Sequence, residues 1–348
     1  MNVISYSELA SIAQEEGTIS LKDVLYVFKK LVDMDSDDFE EYDYANSTRK
    51  KLRDLAQMVI NENYKIFADD DDYHNIAVDY ARLNLYDCAI SILDRGLKHS
   101  ISSDLLADKI LYALESGQCE LCEDACTNLF ALDKASWGWR AYSFTIKYYL
   151  KKVKSLRKGK ARNNLKAKTF DLAEEFINYA KSNPEEAADR AYFDKASLVK
   201  ELGYIGEEGK ITQESILADG CKAINPAPQC ALSLADIMFD RGQYDNALNY
   251  LKQCKLAINN PQPSVNPSYV FLLYAMAKTS KLISETENED FSNRKSDVDS
   301  IYRDLHTSMD SFDINETYRD AAKRTIKMLE IQTGFKDTNQ SSNDSEYI

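Results

Sequence analysis

Residues 231–261 read ALSLADIMFDRGQYDNALNYLKQCKLAINNP, and this stretch limits the fold more than any other. Ala231, Leu234, Ala235, Met238 and Phe239 recur at three- and four-residue intervals, which collects them on one face of a helix. Arg241, Gly242 and Gln243 break that period. Tyr244 then opens a second amphipathic run through Ala247, Leu251 and Cys254 to a stop at Asn259-Asn260-Pro261. Two helices around a tight turn make a helical hairpin. A lone hairpin cannot cover its own apolar face, so the chain must supply neighbours of the same kind.

The order of small and large residues here resembles the tetratricopeptide repeat: Gly242 at the turn, Tyr244 two later, Ala247 three beyond that, and Pro261 at the end. A second hairpin of this kind starts at Tyr73. Ile76, Ala77 and Tyr80 form one face, Asn84 replaces the turn glycine, and Tyr86, Ala89, Leu93 and Gly96 follow. A third covers about Ser103 to Ala135, with Gly117 at the turn and Cys119, Cys122, Cys126 and Leu129 in the slots after it. The small-residue slots Ala89 and Cys122 are 33 apart, against a period of about 34 for the repeat. From Cys122 to the next slot, Ala173, the step is 51, a surplus of 17 that locates an insertion. From Ala173 to Ala247 it is 74, room for one more hairpin pairing Ala188–Leu202 with Thr212–Ile224 and ending at Pro226.

The fold expected is all-α: a right-handed superhelix of antiparallel helical hairpins, an α-solenoid of tetratricopeptide-like type, with helical caps at both ends. Residues 1–66 form the N-terminal helical cap and residues 67–261 the repeats, with a basic insertion at 151–168. A helical region occupies 262–335, with helices from Tyr269 to about Ile283, Arg294 to Met309 and Asn315 to Thr333, closed by Gly334. Residues 336–348, KDTNQSSNDSEYI, are too poor in apolar side chains to order themselves and form a tail.

Composition agrees. In 348 residues there are only 11 Gly and 6 Pro, which disfavours the many turns of an all-β chain. The net charge of −14 argues against a general nucleic-acid binder and suits basic or neutral protein partners. No run of apolar residues is long enough to span a membrane, and the N-terminus has neither the basic nor the apolar region of a signal peptide. Seven cysteines, an odd number scattered through helices, read as reduced thiols. The expected location is the cytoplasm, or a virion if the chain is viral.

Candidate chemistry is sparse. Cys119, Cys122 and Cys126 lack the second ligand pair that zinc needs, and Cys122 and Cys126 fall on repeat slots that want small and medium apolar residues. The run from Gly203 to Lys210 has glycines and a lysine in the wrong spacing for a phosphate loop, with Glu207 and Glu208 opposing an anion. Asp69 to Asp72 lacks the Gly and Glu of a calcium loop and suits a helix N-terminus. His74, His99 and His306 stand in no catalytic pattern. No catalytic residue, metal or cofactor is expected, and the chain does not read as an enzyme.

The sharpest anomaly is residues 151–168, KKVKSLRKGKARNNLKAK. Its nine cations are Lys151, Lys152, Lys154, Arg157, Lys158, Lys160, Arg162, Lys166 and Lys168; it has no acid, and it leaves −23 for the rest of the chain. As a structural feature it reads as a solvated loop between two helices. As a functional one it is a basic patch for an acidic partner or a nucleic acid, with Trp137, Trp139, Tyr148 and Tyr149 as stacking groups. Tetratricopeptide-repeat proteins bind protein segments along their first helices. The resemblance therefore implies partner-binding positions at His74, Asn75 and Arg82 in the first hairpin and at Asp236, Phe239 and Asp240 in the best one. Neither set is the family's carboxylate clamp, and Asp236 and Asp240 give the groove negative character. The function expected is a non-enzymatic interaction scaffold, an adaptor or assembly factor that takes a protein or peptide segment. The alternatives are a structural subunit of a larger particle, viral included, and a nucleic-acid-associated factor using the basic segment.

Overall fold

Hydrophobic residues at helical spacing become helices throughout the computed structural model, which describes residues 70–82, 84–132, 138–183, 189–203, 212–258, 264–286, 291–310 and 316–337. These residues contain thirteen α-helices and no strand. The first six are α1 (Asp70–Arg82), α2 (Tyr86–His99), α3 (Ser103–Ser116), α4 (Cys122–Leu132), α5 (Gly138–Ser155) and α6 (Lys160–Ser182). The rest are α7 (Arg190–Leu202), α8 (Gln213–Ala223), α9 (Pro228–Asp240), α10 (Tyr244–Ala257), α11 (Pro267–Glu285), α12 (Lys295–Met309) and α13 (Glu316–Thr333). The chain forms two units that divide within α6, after Leu172.

In the first unit each helix from α1 to α5 packs on the next, and in the second the same holds from α7 to α13. Alternate helices also touch: α1 with α3, α3 with α5, α7 with α9, α9 with α11, and α11 with α13. This is α-solenoid packing, in which each hairpin covers the apolar face that its neighbour leaves open.

Two hairpin turns use one backbone device. After α9, Gly242 has φ 72°; its N–H donates to Phe239 O at 2.9 Å and that of Gln243 to Met238 O at 2.8 Å. This is a Schellman motif, which needs a left-handed residue just past the helix. After α1, Asn84 takes the same place with φ 58°. Its N–H donates to Ala81 O at 2.9 Å and that of Leu85 to Tyr80 O at 3.0 Å. Asn84 therefore replaces the turn glycine, as the spacing predicts. The expected core follows: Ile76, Ala77, Tyr80, Ala89 and Leu93 in one hairpin, and Ala231, Leu234, Ala235, Ala247, Leu251 and Cys254 in the other, are buried.

The further hairpin expected between Ala173 and Ala247 is present as α7 and α8. Thr212 opens α8 with a capping box in which it and Ser215 hydrogen-bond each other's backbone N–H, satisfying donors that the helix leaves open. Gly220 on α8 and Gly96 on α2 sit where the next helix comes closest. A Cβ on Gly220 would lie 2.7 Å from Cys230 Sγ and 2.9 Å from Tyr192 Cβ; one on Gly96 would lie 2.8 Å from Leu105 Cδ1.

The basic segment is not a loop. Residues 151–155 end α5 and residues 160–168 begin α6, joined by a four-residue link. The surplus residues lengthen both helices: α5 has 18 residues and α6 has 23, against 13 in α9 and 14 in α10. Val153 anchors the extension, fully buried, with Leu156 and Leu165 half-buried beside the cations. An apolar residue at helical spacing is enough to continue a helix that already has a folded start.

Beyond α10, helices α11 and α12 form a further hairpin and α13 packs on both. The chain past α13 folds back. Gly334 has φ 73°, Tyr302 Oη donates to Phe335 O at 3.0 Å, and the buried Asp337 meets His306 Nε2 at 2.7 Å. Asp337, near the start of the expected tail, is thus held on α12. The N-terminal cap of residues 1–66, the rest of the run after Gly203, the stop at Pro261 and residues 338–348 lie outside the described residues.

Candidate partner-binding faces

The first helices of successive hairpins lie side by side, so their outward residues meet across the gap of one repeat. His74 on α1 hydrogen-bonds through Nδ1 to Asp108 Oδ2 on α3. Arg140 on α5 pairs through its guanidinium with Asp104 on α3. In the second unit, Tyr269 Oη on α11 donates to Asp236 Oδ1 on α9 at 2.5 Å. These pairs are separated by 34, 36 and 33 residues, close to the repeat period.

In the first unit the result is a polar strip across α1, α3 and α5. It is half-open: the side chains of His74 and Asp104 are 41% and 50% accessible, while those of Asp108 and Arg140 are more covered. The Asp108 hydrogen bond holds the His74 imidazole above its ordinary pKa, and burial opposes it. Asn75 stands exposed beside His74. Arg140 also lies 5.7 Å over the ring of Trp139, so its guanidinium is held on two sides.

Of the positions that the family resemblance implies, His74 and Asn75 lie on this strip. Arg82 closes α1, with its side chain outside the described set. Asp236, Phe239 and Asp240 belong to the second unit. Asp236 is engaged with Tyr269, and burial raises its pKa. Phe239 packs on the core and sits 5.8 Å from the ring of Tyr244, clamping the turn. Asp240 is exposed. The sequence reading missed Asp104, Asp108, Arg140 and Tyr269. Their signal was available: complementary polar residues one repeat apart.

Asp189 makes another long-range polar contact. It is buried just before α7, and its Oδ2 accepts from the backbone N–H of Gln229 at 2.6 Å and of Cys230 at 2.9 Å. The residue preceding α9 is Ala227, which has no side-chain oxygen, and Pro228 fills the first helical position. Asp189 therefore caps α9 from another helix. Burial raises its carboxyl to about 6.

The cations at 151–168 divide. Lys152 Nζ bonds Glu123 at 2.9 Å and Tyr148 Oη at 2.8 Å, and these two bonds raise its pKa. Lys168 lies 4.9 Å over the Tyr149 ring and Lys166 5.9 Å over Phe170. Lys151, Lys154, Arg157, Lys158 and Lys160 are exposed, and Arg162 is half-exposed. Trp137 lies outside the described residues.

Cys122 and Cys126 are buried, and burial pushes their thiols up to about 12 and about 11. Thiols so placed pack as small apolar groups. A cavity of about 260 Å³ between α10, α11 and α12 is lined with paired charges, including Arg294 on Asp297 at 2.7 Å and Lys281 on Glu285 at 3.5 Å. Among the described residues no cluster of His, Cys, Asp or Glu is arranged to hold a metal, and no helix is long and apolar enough to cross a membrane.

The hairpins, their Schellman turns and the polar pairs at the repeat period define the fold: an all-α solenoid of tetratricopeptide-like hairpins. No family model and no curated protein matches the chain. Solved structures similar to it include a thermophilic TPR protein from Thermus thermophilus, at 16% identity over 60% of this chain and 97% of that one, with a TM-score of 0.42. A tetratricopeptide repeat protein from Parabacteroides merdae aligns at 14% identity over 86% of this chain and 98% of its own, TM-score 0.41. Pseudomonas aeruginosa PilF aligns at 13% identity over 73% and 96%, TM-score 0.38.

Proposed function

We propose that this chain is a non-enzymatic protein-interaction scaffold, an adaptor or assembly factor that holds a basic or neutral protein segment against its first helices. The observation that carries this reading is the strip of His74, Asp108, Asp104 and Arg140, with Asn75 beside it. Its members come from three helices and are fixed in place by one another. Donors and acceptors held in this way lose little side-chain freedom when a partner arrives, so more of the contact energy appears as affinity. The outward oxygens of Asp104 favour a partner without negative charge. The seven free cysteines suit a reducing compartment such as the cytoplasm.

The test is affinity purification of the full chain from its native host, repeated with Asn75→Ala and Asp104→Ala combined. A co-purifying protein retained by the parent and lost from the variant, with helical content unchanged, supports the reading. Equal retention by both would overturn it.

A further inference from the structure

We infer that the cationic segment spanning the end of α5 and the start of α6 is a docking site for an acidic protein segment. It is a second surface, distinct from the first-helix strip. On α5, Arg140 and Lys154 are fourteen residues apart, which along a helix is about 21 Å.

The placement of the cations is the first argument. All nine fall in the last five residues of α5, the link, and the first nine residues of α6, the stretch by which these helices exceed α9 and α10. Helical stability accounts for only part of this arrangement: Lys152 and Lys154 suit the C-terminus of α5. The first turn of α6 has Lys160 and Arg162 nearby and no acid, although a helix N-terminus favours negative side chains. Arg162 also depresses the Lys166 amine, after burial. Like charges crowded on one short segment repel one another, and an incoming anion relieves that repulsion.

The second argument concerns which anion. Bases of single-stranded nucleic acid need open aromatic faces to stack on. Here cations of the chain already lie over the nearby rings: Lys152 over Tyr148 at 5.1 Å, Lys168 over Tyr149, Lys147 over Phe144 at 5.4 Å, and Arg140 over Trp139. A duplex would extend beyond the patch toward a chain that is otherwise −23. Screening over about 8 Å at physiological salt lets a short acidic peptide meet only the patch. Lys151, Arg157, Lys158 and Lys160, all exposed, supply the row of positive charge that carboxylates would meet.

The experiment measures fluorescence anisotropy of a labelled oligoglutamate peptide with the full chain, beside oligoglutamine, oligothymidine and duplex DNA at matched salt. One variant combines Lys151→Gln, Arg157→Gln, Lys158→Gln and Lys160→Gln. A control of equal charge change combines Lys181→Gln, Lys222→Gln, Lys252→Gln and Lys323→Gln. The expected result is oligoglutamate binding that weakens steeply with salt. The first variant loses about tenfold or more, and the control matches the parent. Zero-length carbodiimide cross-links should map to Lys151, Lys158 and Lys160. If the quadruple variant loses helical content, the pair Arg157→Glu and Lys158→Glu takes its place, with the same loss expected. Three results would overturn the inference: no oligoglutamate binding at low salt, equal loss in both quadruple variants, or tighter binding of either nucleic acid. The Asn75→Ala, Asp104→Ala variant should bind oligoglutamate like the parent, so this proposal and the first-helix reading fail independently.

Discussion

Gly220 has no Cβ because Cys230 and Tyr192 occupy the space. On helix propensity alone, alanine in a helix interior stabilises by about 1 kcal/mol relative to glycine. Here the added methyl would press on the Cβ and Cγ of Tyr192, close to the backbone and slow to yield, and overpacking of this kind costs about 1–3 kcal/mol. Gly220→Ala is therefore expected to lower the urea midpoint. An increase would show that α7 and α8 can part without penalty. Asn84 gives the opposite case. It already holds φ 58°, its exposed side chain accepting a long 3.4 Å hydrogen bond from Tyr86 Oη, a conformation that costs an ordinary L-residue about 1–2 kcal/mol and glycine almost nothing. Asn84→Gly should match or exceed the parent in stability, and Asn84→Val should fall below it by about that amount.

His74 gives a residue-scale pH dependence. Its folded pKa is raised above the ordinary 6.5, so the charged pair with Asp108 contributes fully below that value. The contribution is lost as pH rises through the raised pKa. Comparing urea midpoints of the parent and Asp108→Asn at about pH 6 and about pH 9 checks this. The parent's advantage should be larger at the lower pH. An advantage that grows with pH would show that the neutral imidazole is the favoured form.

At the scale of elements, the joint between α7 and α9 rests on Asp189. Removing its carboxyl by Asp189→Ala leaves two backbone donors at the start of α9 unsatisfied, a cost of about 1–3 kcal/mol. Asp189→Asn keeps an acceptor and removes the charge. The Asp189 carboxyl is raised from 3.8 to about 6 by burial. Its neutral form therefore favours folding at low pH, and that contribution is lost as pH rises through about 6. Relative to the parent, Asp189→Asn should thus gain stability between about pH 4 and about pH 7, by roughly 2–3 kcal/mol. A difference that does not change with pH would mean that the carboxylate is stabilised in place by the α9 N-terminus. No local pattern announces this contact: Asp189 precedes a weakly patterned hairpin, and its partners are backbone groups 40 and 41 residues away.

Across the whole molecule, the hairpin architecture was legible because it is local. Ala247, Leu251 and Gly242 are fixed by three- and four-residue periodicity and by one left-handed turn position, and these are properties of neighbouring residues. The spacing of 33 from Ala89 to Cys122, and the extra 17 before Ala173, likewise appear in the chain itself. What the extra residues become was not legible. The cations of 151–168 suggest a solvated loop when counted as charge, but Val153, Leu156 and Leu165 turn one side of the segment inward and extend two helices. The site was legible in part. Periodicity placed His74 and Asn75 outward on α1, but it could not show that His74 meets Asp108, that Arg140 reaches Asp104, or that Asp236 is taken by Tyr269. Sequence alone thus determined the helices, their turns and the repeat spacing, because short-range sterics and apolar periodicity fix them. Tertiary structure decided which polar groups are paired and which remain open, because each pairing depends on how closely one hairpin sits against the next.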